Sequence, residues 1–291
     1  HCVYTPWLNP RGTYEADVTV TRTGSEDFLV LSSSATTVRD LDWLRRNGSG
    51  AAAQDVTAAY AVLGVMGPRS RDLLSGITDA DLSEEGFPFA TSRLVSLGHA
   101  TVRATRMTYV GELGWELMVP VEFAAGVYDL LRRAGTEHGL ADAGYYTIDS
   151  LRLEKGYRAF GRELTPDFTP VEAGLVFATA LKGEKAFLGR AALEKHRDRL
   201  ASGGPRRRLV SFVAEDPAPM LWGGELLVQD GRPAGQVTSA AWGETVGACV
   251  GLAYLRAEGP VTSSFLADSA FEVDVAGVRV PVRASLTAPL R

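Results

Sequence analysis

The feature that most constrains the fold is a change of hydrophobic period along the chain. Up to about residue 200, helical spacing and strand-like alternation take turns. Beyond "LASGGPRRR", a Gly/Pro-rich basic stretch that reads as a boundary, only short alternating runs remain. These are "RLVSFVA", "GELLVQDGRPAGQVTSAAW", "ACVGLAYL" and "FEVDVAGVRVPVRASL". Asp230-Gly231 supplies the turn chemistry of a tight hairpin. Strands packed this densely with no helix between them predict an all-β module of roughly 85 residues, a sandwich or a barrel.

The first part reads differently. "YTPWLNPRGTYEADVTVTR" is a Gly-containing turn followed by β-branched alternation, a turn and then a strand. "EDFLVLSSSATTVRDLDWLRRNG" predicts a strand, a Ser/Thr cap and a helix stopping at Asn47-Gly48, with Val38, Leu41 and Leu44 on its apolar face. "AAYAVLGVMGP" and "RSRDLLSGI" follow as strand and short helix, then three strands in "TSRLVSLGHATVRATRM" and "GWELMVPV", with a turn at Gly98-His99. Phe123, Val127, Leu130 and Leu131 have helical spacing and end at Gly139. "TIDSLRLEKGYRAFGRE" starts as a helix and runs into a Pro-rich loop. This order predicts an α+β, helix-on-sheet unit. Three segments result: 1–55, 56–202 and 203–291.

Composition removes several classes of function. A net charge of −5 with no basic tail offers nucleic acid no general attraction. Cys2 and Cys249 have no CxxC partner, so free thiols are expected. The four histidines are scattered and no HExxH occurs, which argues against a protein-built metal site. No apolar run is long enough to span a bilayer and no signal segment is visible, so a cytoplasmic, reducing location is expected. The opening "HCVYTPWLNP" reads as the middle of something, a cleaved or cut-down piece.

Four stretches carry unusual residues, and each has a plain reading beside the functional one. Asp17 precedes Val18-Thr19-Val20-Thr21, and strands disfavour Asp. It is either a solvated acid closing the turn or a functional group. Glu112 lies between Gly111 and Gly114 in "TYVGELGWE"; it is either a solvated acid on a hairpin or a ligand-facing carboxylate on a pliable bend. "DSLRLEKGYRAFGREL" reads as an amphipathic helix with solvated charges, Arg152 and Glu154 on different faces. Trp242, in "VTSAAWGETVGACVGLAYL", reads first as core packing. No Walker loop, GxGxxG, GxSxG or metal motif is present.

In combination the motifs are far more specific. "LNPRG" with Asp17, "GPRSRDLL", "TYVGELGWEL", "DSLRLEKGYRAFG", "LTPDFTPVEAGL", "KAFLGRAAL" and "GQVTS" occur in the order that resembles the aminomethyltransferase (glycine-cleavage T-protein) family. The likeness covers essentially the whole chain. It is closest to the folate-binding C-terminal part of sarcosine and dimethylglycine dehydrogenases and oxidases. The resemblance implies a ferredoxin-like helix-on-sheet folate-binding region followed by a C-terminal all-β barrel or jelly-roll-like domain. It implies tetrahydrofolate as cofactor, Asp17 as the catalytic residue beside the reactive end of the folate, and Glu112 holding the pterin. Tyr4, Tyr109, Arg152 and Trp242 are the further cofactor-binding candidates. A pterin offers two parallel N–H donors that one carboxylate accepts together. The carboxylate tail of a folate suits an arginine, here Arg152.

The resemblance also has departures. The family carries about a hundred residues before the Asp turn that this sequence lacks, so 1–55 reads as the remainder of the first folate-binding subdomain. Either part of its core is unpaired and the pocket is open on one side, or those residues reside on another chain or on a cleaved segment that stays bound. Ile148 stands where glycine-cleavage members carry Arg, which fits the flavoenzyme-linked branch. The expected activity is transfer of a one-carbon unit from an N-methyl amine such as sarcosine or dimethylglycine to tetrahydrofolate. Any FAD would sit on a separate domain or chain, a flavin dehydrogenase partner. A folate-dependent O-, S- or N-demethylase and a non-catalytic folate-binding protein stay open as alternatives. The iron–sulfur maintenance branch ranks low, because "LKGEKAFLGR" lacks its "KGC" signature.

Overall fold

The computed structural model describes residues 1–200, 203–216 and 219–290. The chain divides into two compact units, His1–Tyr4 with Val18–Ala143, and Thr5–Asp17 with Gly144–Arg291. Ala201 and Ser202 of the expected boundary "LASGGPRRR" lie outside the described residues. The three-segment division read from sequence remains a proposal.

The chain opens with β1 (Cys2–Leu8), β2 (Tyr14–Arg22) and β3 (Phe28–Leu31), in the order β1-β2-β3. The turn between the first two is built by Asn9, which is buried. Its Oδ1 accepts the backbone N–H of Arg11 at 2.9 Å, and its amide donates to Thr13 Oγ1 at 2.8 Å and Glu15 Oε1 at 2.9 Å. Such an Asx turn closes the loop locally. Gly12 takes φ +76° there, as the turn requires.

In the first unit, α1 (Thr37–Asn47) ends at Gly48 as its Asn-Gly signal predicts. Its face does not match the apolar pattern. Val38 is 84% exposed while Asp40 is buried, because Thr36 Oγ1 donates to the Asp40 carboxylate at 2.6 Å across the first turn. The remainder is β4 (Tyr60–Met66), α2 (Ser70–Ser75), β5 (Ser92–Leu97), β6 (Ala100–Thr105), β7 (Gly114–Pro120) and α3 (Ala124–Gly135). The strands pair in the order β4-β7-β6-β5, all antiparallel. Trp115, Leu117 and Val119 alternate inward from β7 and meet Val127 and Leu131 of α3, a helix-on-sheet core as the periodicity predicts. Trp115 is fully buried, edge-on to Phe87 at 6.1 Å and 88°. Such a ring pair adds about 0.5–1.5 kcal/mol beyond its buried area.

In the second unit, α4 (Tyr145–Glu154) leads into a long loop, then α5 (Arg190–Leu200). The strands β8 (Arg207–Ala214), β9 (Leu226–Gln229), β10 (Arg232–Gly243), β11 (Ala248–Arg256), β12 (Phe271–Val275) and β13 (Val278–Ser285) follow, with α6 (Ser263–Ala267) before β12. They close into a barrel in the order β10-β11-β8-β13-β12-β9, which decides between barrel and sandwich. The Asp230-Gly231 hairpin forms with both residues at positive φ, 49° and 78°, the backbone of a type I′ turn. Cys2 and Cys249 are both buried free thiols.

Candidate functional site

Tyr4, Tyr109 and Glu112 belong to the first unit; Asp17, Arg152 and Trp242 belong to the second. The structure describes the surroundings of each within its own unit.

Asp17 is not at the head of a strand. β2 starts at Tyr14, so Asp17 is its fourth residue. Tyr14, Ala16 and Val18 are buried while Glu15, Asp17 and Thr19 are half-buried, so Asp17 projects from the less packed face. The turn ends earlier than its Gly suggests because Thr13 O pairs with Asn9 N at 3.0 Å. Tyr14, three residues before, is fully buried and its hydroxyl has no hydrogen-bond partner among the described residues. Burial first, then the charge of Asp17, pushes its phenol well above the usual value. An unsatisfied buried hydroxyl costs stability. Tyr14→Phe is therefore expected to leave thermal stability unchanged or raise it. A melting temperature lowered by several degrees in scanning calorimetry would show that the hydroxyl has a structural partner.

The "YVGELGWE" stretch enters β7 through a loop anchored at Leu113, whose carbonyl accepts Gly67 N at 2.8 Å and Ser70 Oγ at 3.0 Å. Tyr109 is half-buried in that loop. Glu112 is exposed, which is its plain reading as a solvated acid. Gly111 at φ +76° turns the chain outward there. The other acid of the motif, Glu116, is the one the fold desolvates. It stands on β7 opposite Gly64 of β4 and Thr105 of β6, on the face away from Trp115 and Leu117. Burial pushes its carboxyl above the usual range. It is half-buried, and no hydrogen bond or ion pair to it is found among the described residues. Gly64 leaves the neighbouring strand without a side chain beside it. Sequence reasoning missed Glu116, because only the pairing of β7 between β4 and β6 makes its strand an interior one.

Arg152 and Glu154 are buried, at 0% and 1% exposure, which corrects the expectation of a solvated helix face. The chain after α4 folds back over it, with Tyr157 N donating to Arg152 O at 2.8 Å. The Arg152 guanidinium donates to Asp149, to Tyr157 O at 2.8 Å, to Glu163 Oε2 at 3.0 Å and to Ser239 Oγ at 2.9 Å. Glu163, also fully buried, accepts from Thr238 Oγ1 at 2.6 Å, from Ser239 and from Ala159 N at 2.9 Å. With its donors committed in this way, Arg152 braces the unit instead of standing free for a ligand carboxylate. Tyr254 donates to Glu163 O at 3.0 Å and stacks on Phe168 at 3.6 Å. Trp242 is 45% exposed, so core packing is not its role; its indole N–H donates to Glu244 at 3.0 Å. Tyr4 is half-buried on β1.

The chain matches the GCVT N-terminal domain over residues 1–183 and the glycine cleavage T-protein C-terminal barrel domain over 207–290. It belongs to the glycine-cleavage T-protein (aminomethyltransferase) family. The aminomethyltransferase of Shouchella clausii is 33% identical over 92% of this chain and 70% of its own length. The mitochondrial sarcosine dehydrogenase of Mus musculus is 38% identical over 99% of this chain and 33% of its own. The formaldehyde-forming 4-methylaminobutanoate oxidase of Paenarthrobacter nicotinovorans is 39% identical over 97% and 33%. The chain thus spans about a third of those two relatives. Aminomethyltransferase T from Bartonella henselae superposes with a TM-score of 0.83 over 99% of this chain and 75% of its own at 24% identity, a likeness of fold. Among the described residues no helix is long and apolar enough to cross a membrane.

Proposed function

We propose that this T-protein-family chain moves a one-carbon unit from an N-methyl amine, of the sarcosine or dimethylglycine kind, to tetrahydrofolate. It would work with a flavin-dependent amine-oxidising domain or subunit. Relatives named as a sarcosine dehydrogenase and a methylaminobutanoate oxidase support the donor class.

The observation that carries the folate reading is Glu116. A carboxylate held off water without an ion-pair partner fits the paired N–H donors of a pterin, which would supply the missing bonds. Glu116, not the exposed Glu112, is therefore the proposed pterin anchor, and Tyr4, Tyr109 and Trp242 are the further proposed cofactor-binding residues. Arg152 contributes as a brace. Tetrahydrofolate supplies a nucleophilic nitrogen that accepts the one-carbon unit. Asp17 orients that nitrogen, stabilises the positive charge that grows as it attacks, and takes up the proton released.

Calorimetric titration with a reduced folate tests this. Glu116→Gln is expected to weaken binding about tenfold to a hundredfold, the scale of a lost charged hydrogen-bond pair. Glu112→Gln should stay within about twofold, as an exposed acid does. A larger loss at Glu112 would overturn the assignment, and no binding by the folded wild type would overturn the folate reading.

Glu116 also predicts a pH dependence of the ligand-free protein. Its folded carboxyl holds a proton more tightly than the unfolded one. Stability therefore falls as pH rises from the ordinary carboxylate value through the raised folded value. Denaturant melts between pH 4 and pH 7, a range set around the usual glutamate pKa of about 4.3, should show this slope in wild type. It should be reduced in Glu116→Gln.

A further inference from the structure

The motif around α4 and the Trp242 hairpin are far apart in sequence, yet the fold ties one to the other through three hydrogen bonds, with a fourth inside the hairpin turn. Ser150 and Glu154 are one helical turn apart and share a face of α4. Ser150 Oγ donates to the backbone carbonyl of Trp242. Glu154 Oε1 accepts the backbone N–H of Thr245 at 2.7 Å and of Val246 at 2.8 Å. Trp242 Nε1 donates to Glu244 at 3.0 Å within the same turn. Gly243 is required beneath this arrangement, since a Cβ there would stand 2.9 Å from Glu154 Oε1.

Nothing in barrel closure calls for this. The β10–β11 ladder already pairs Trp242 with Cys249 and Gly243 with Ala248. The turn beyond it would be satisfied by water, as exposed hairpin tips are. Instead a carboxylate with 1% exposure is desolvated to hold two N–H groups of an exposed turn, and its negative charge makes each bond stronger than a neutral acceptor would. The group so fixed is an indole left 45% exposed. A fixed aromatic ring facing solvent is a stacking surface that loses little freedom when a flat ligand lands on it.

We propose that Ser150 and Glu154 are positioning residues: they clamp the β10–β11 turn so that the Trp242 ring is preset for a bound reduced folate. The inference rests on the folate reading and adds to it the residues that aim the ring. The side-chain hydrogen bonds of Ser150 and Glu154 go to the turn.

The test uses the full chain labelled with 5-fluorotryptophan, with the Trp242 fluorine resonance assigned by its loss in Trp242→Phe. The variants are Ser150→Ala, Glu154→Ala and Glu154→Gln, each titrated with 5-formyltetrahydrofolate. Glu154→Ala is expected to shift or broaden the Trp242 resonance and weaken folate binding about tenfold. Ser150→Ala should do the same to a smaller degree, and it covers the case in which Glu154→Ala fails to fold. Glu154→Gln keeps an acceptor oxygen and should recover most of the loss. An unmoved Trp242 resonance in folded Glu154→Ala or Ser150→Ala overturns the clamp. A moved resonance with unchanged affinity overturns its role in binding. If wild type binds folate and Trp242→Phe binds it equally, Trp242 is no ligand contact and the inference falls while the folate reading stands. If wild type does not bind, both fall.

Discussion

Asp17→Asn is expected to lower the rate of one-carbon transfer to reduced folate by about 10²- to 10⁴-fold, the range that a positioned proton-transfer group contributes. Its affinity for reduced folate stays within a few-fold. The expectation follows from where Asp17 stands. It is half-buried on the more open face of β2, with Ala16 and Val18 packed on the other, so the amide replaces it without loss of core. Asparagine keeps the shape and one acceptor oxygen. It cannot take a proton or offset positive charge, so the loss appears in kcat more than in KM. Single-turnover assays with a methylated amine donor and reduced folate, run beside calorimetry, separate the two. A variant that turns over like wild type would remove Asp17 from the chemistry.

The largest effect on stability is expected at the Arg152–Glu163 pair, where both side chains have 0% exposure. Removing one partner of a buried pair leaves the other charge without compensation and costs about 3–5 kcal/mol. Glu163→Ala is the harsher change, because it strands Arg152, Ser239 and Thr238 together. Arg152→Met keeps the volume but leaves Glu163 charged and underbonded. Replacing both, as Arg152→Met with Glu163→Leu, should recover much of the loss, since an apolar pair of similar size removes the desolvation cost along with the attraction. Thermal melts of the single and double variants measure this as a coupling energy. Additive losses would mean that the pair does not act as a unit.

Much of the fold was legible because it rests on local signals. Asp230-Gly231, Gly98 and Asn47-Gly48 each ended an element where turn or cap chemistry places the end. The failures share another cause. Val38 and Leu44 looked equivalent on a helical wheel, but a Thr36–Asp40 bond made the buried face polar. Arg152 and Glu154 looked solvated because charges usually are, and only the folded-back loop and the distant Ser239, Thr245 and Val246 supply their partners. Glu112 drew attention through its flanking glycines. Glu116, four residues on, could be told apart only by the burial that neighbouring strands impose. Long-range satisfaction of polar groups is what a single sequence conceals.

The barrel has a consequence for how such a chain is made. An open sheet ends in two strands whose N–H and C=O groups can pair with any extended segment nearby. A ring of six strands in which β10 meets both β11 and β9 has neither end. Two relatives are each about three times the length of this whole chain. Once closed, the ring offers neighbouring segments no template for mispairing, so the module can be joined to other polypeptide without inviting strand exchange.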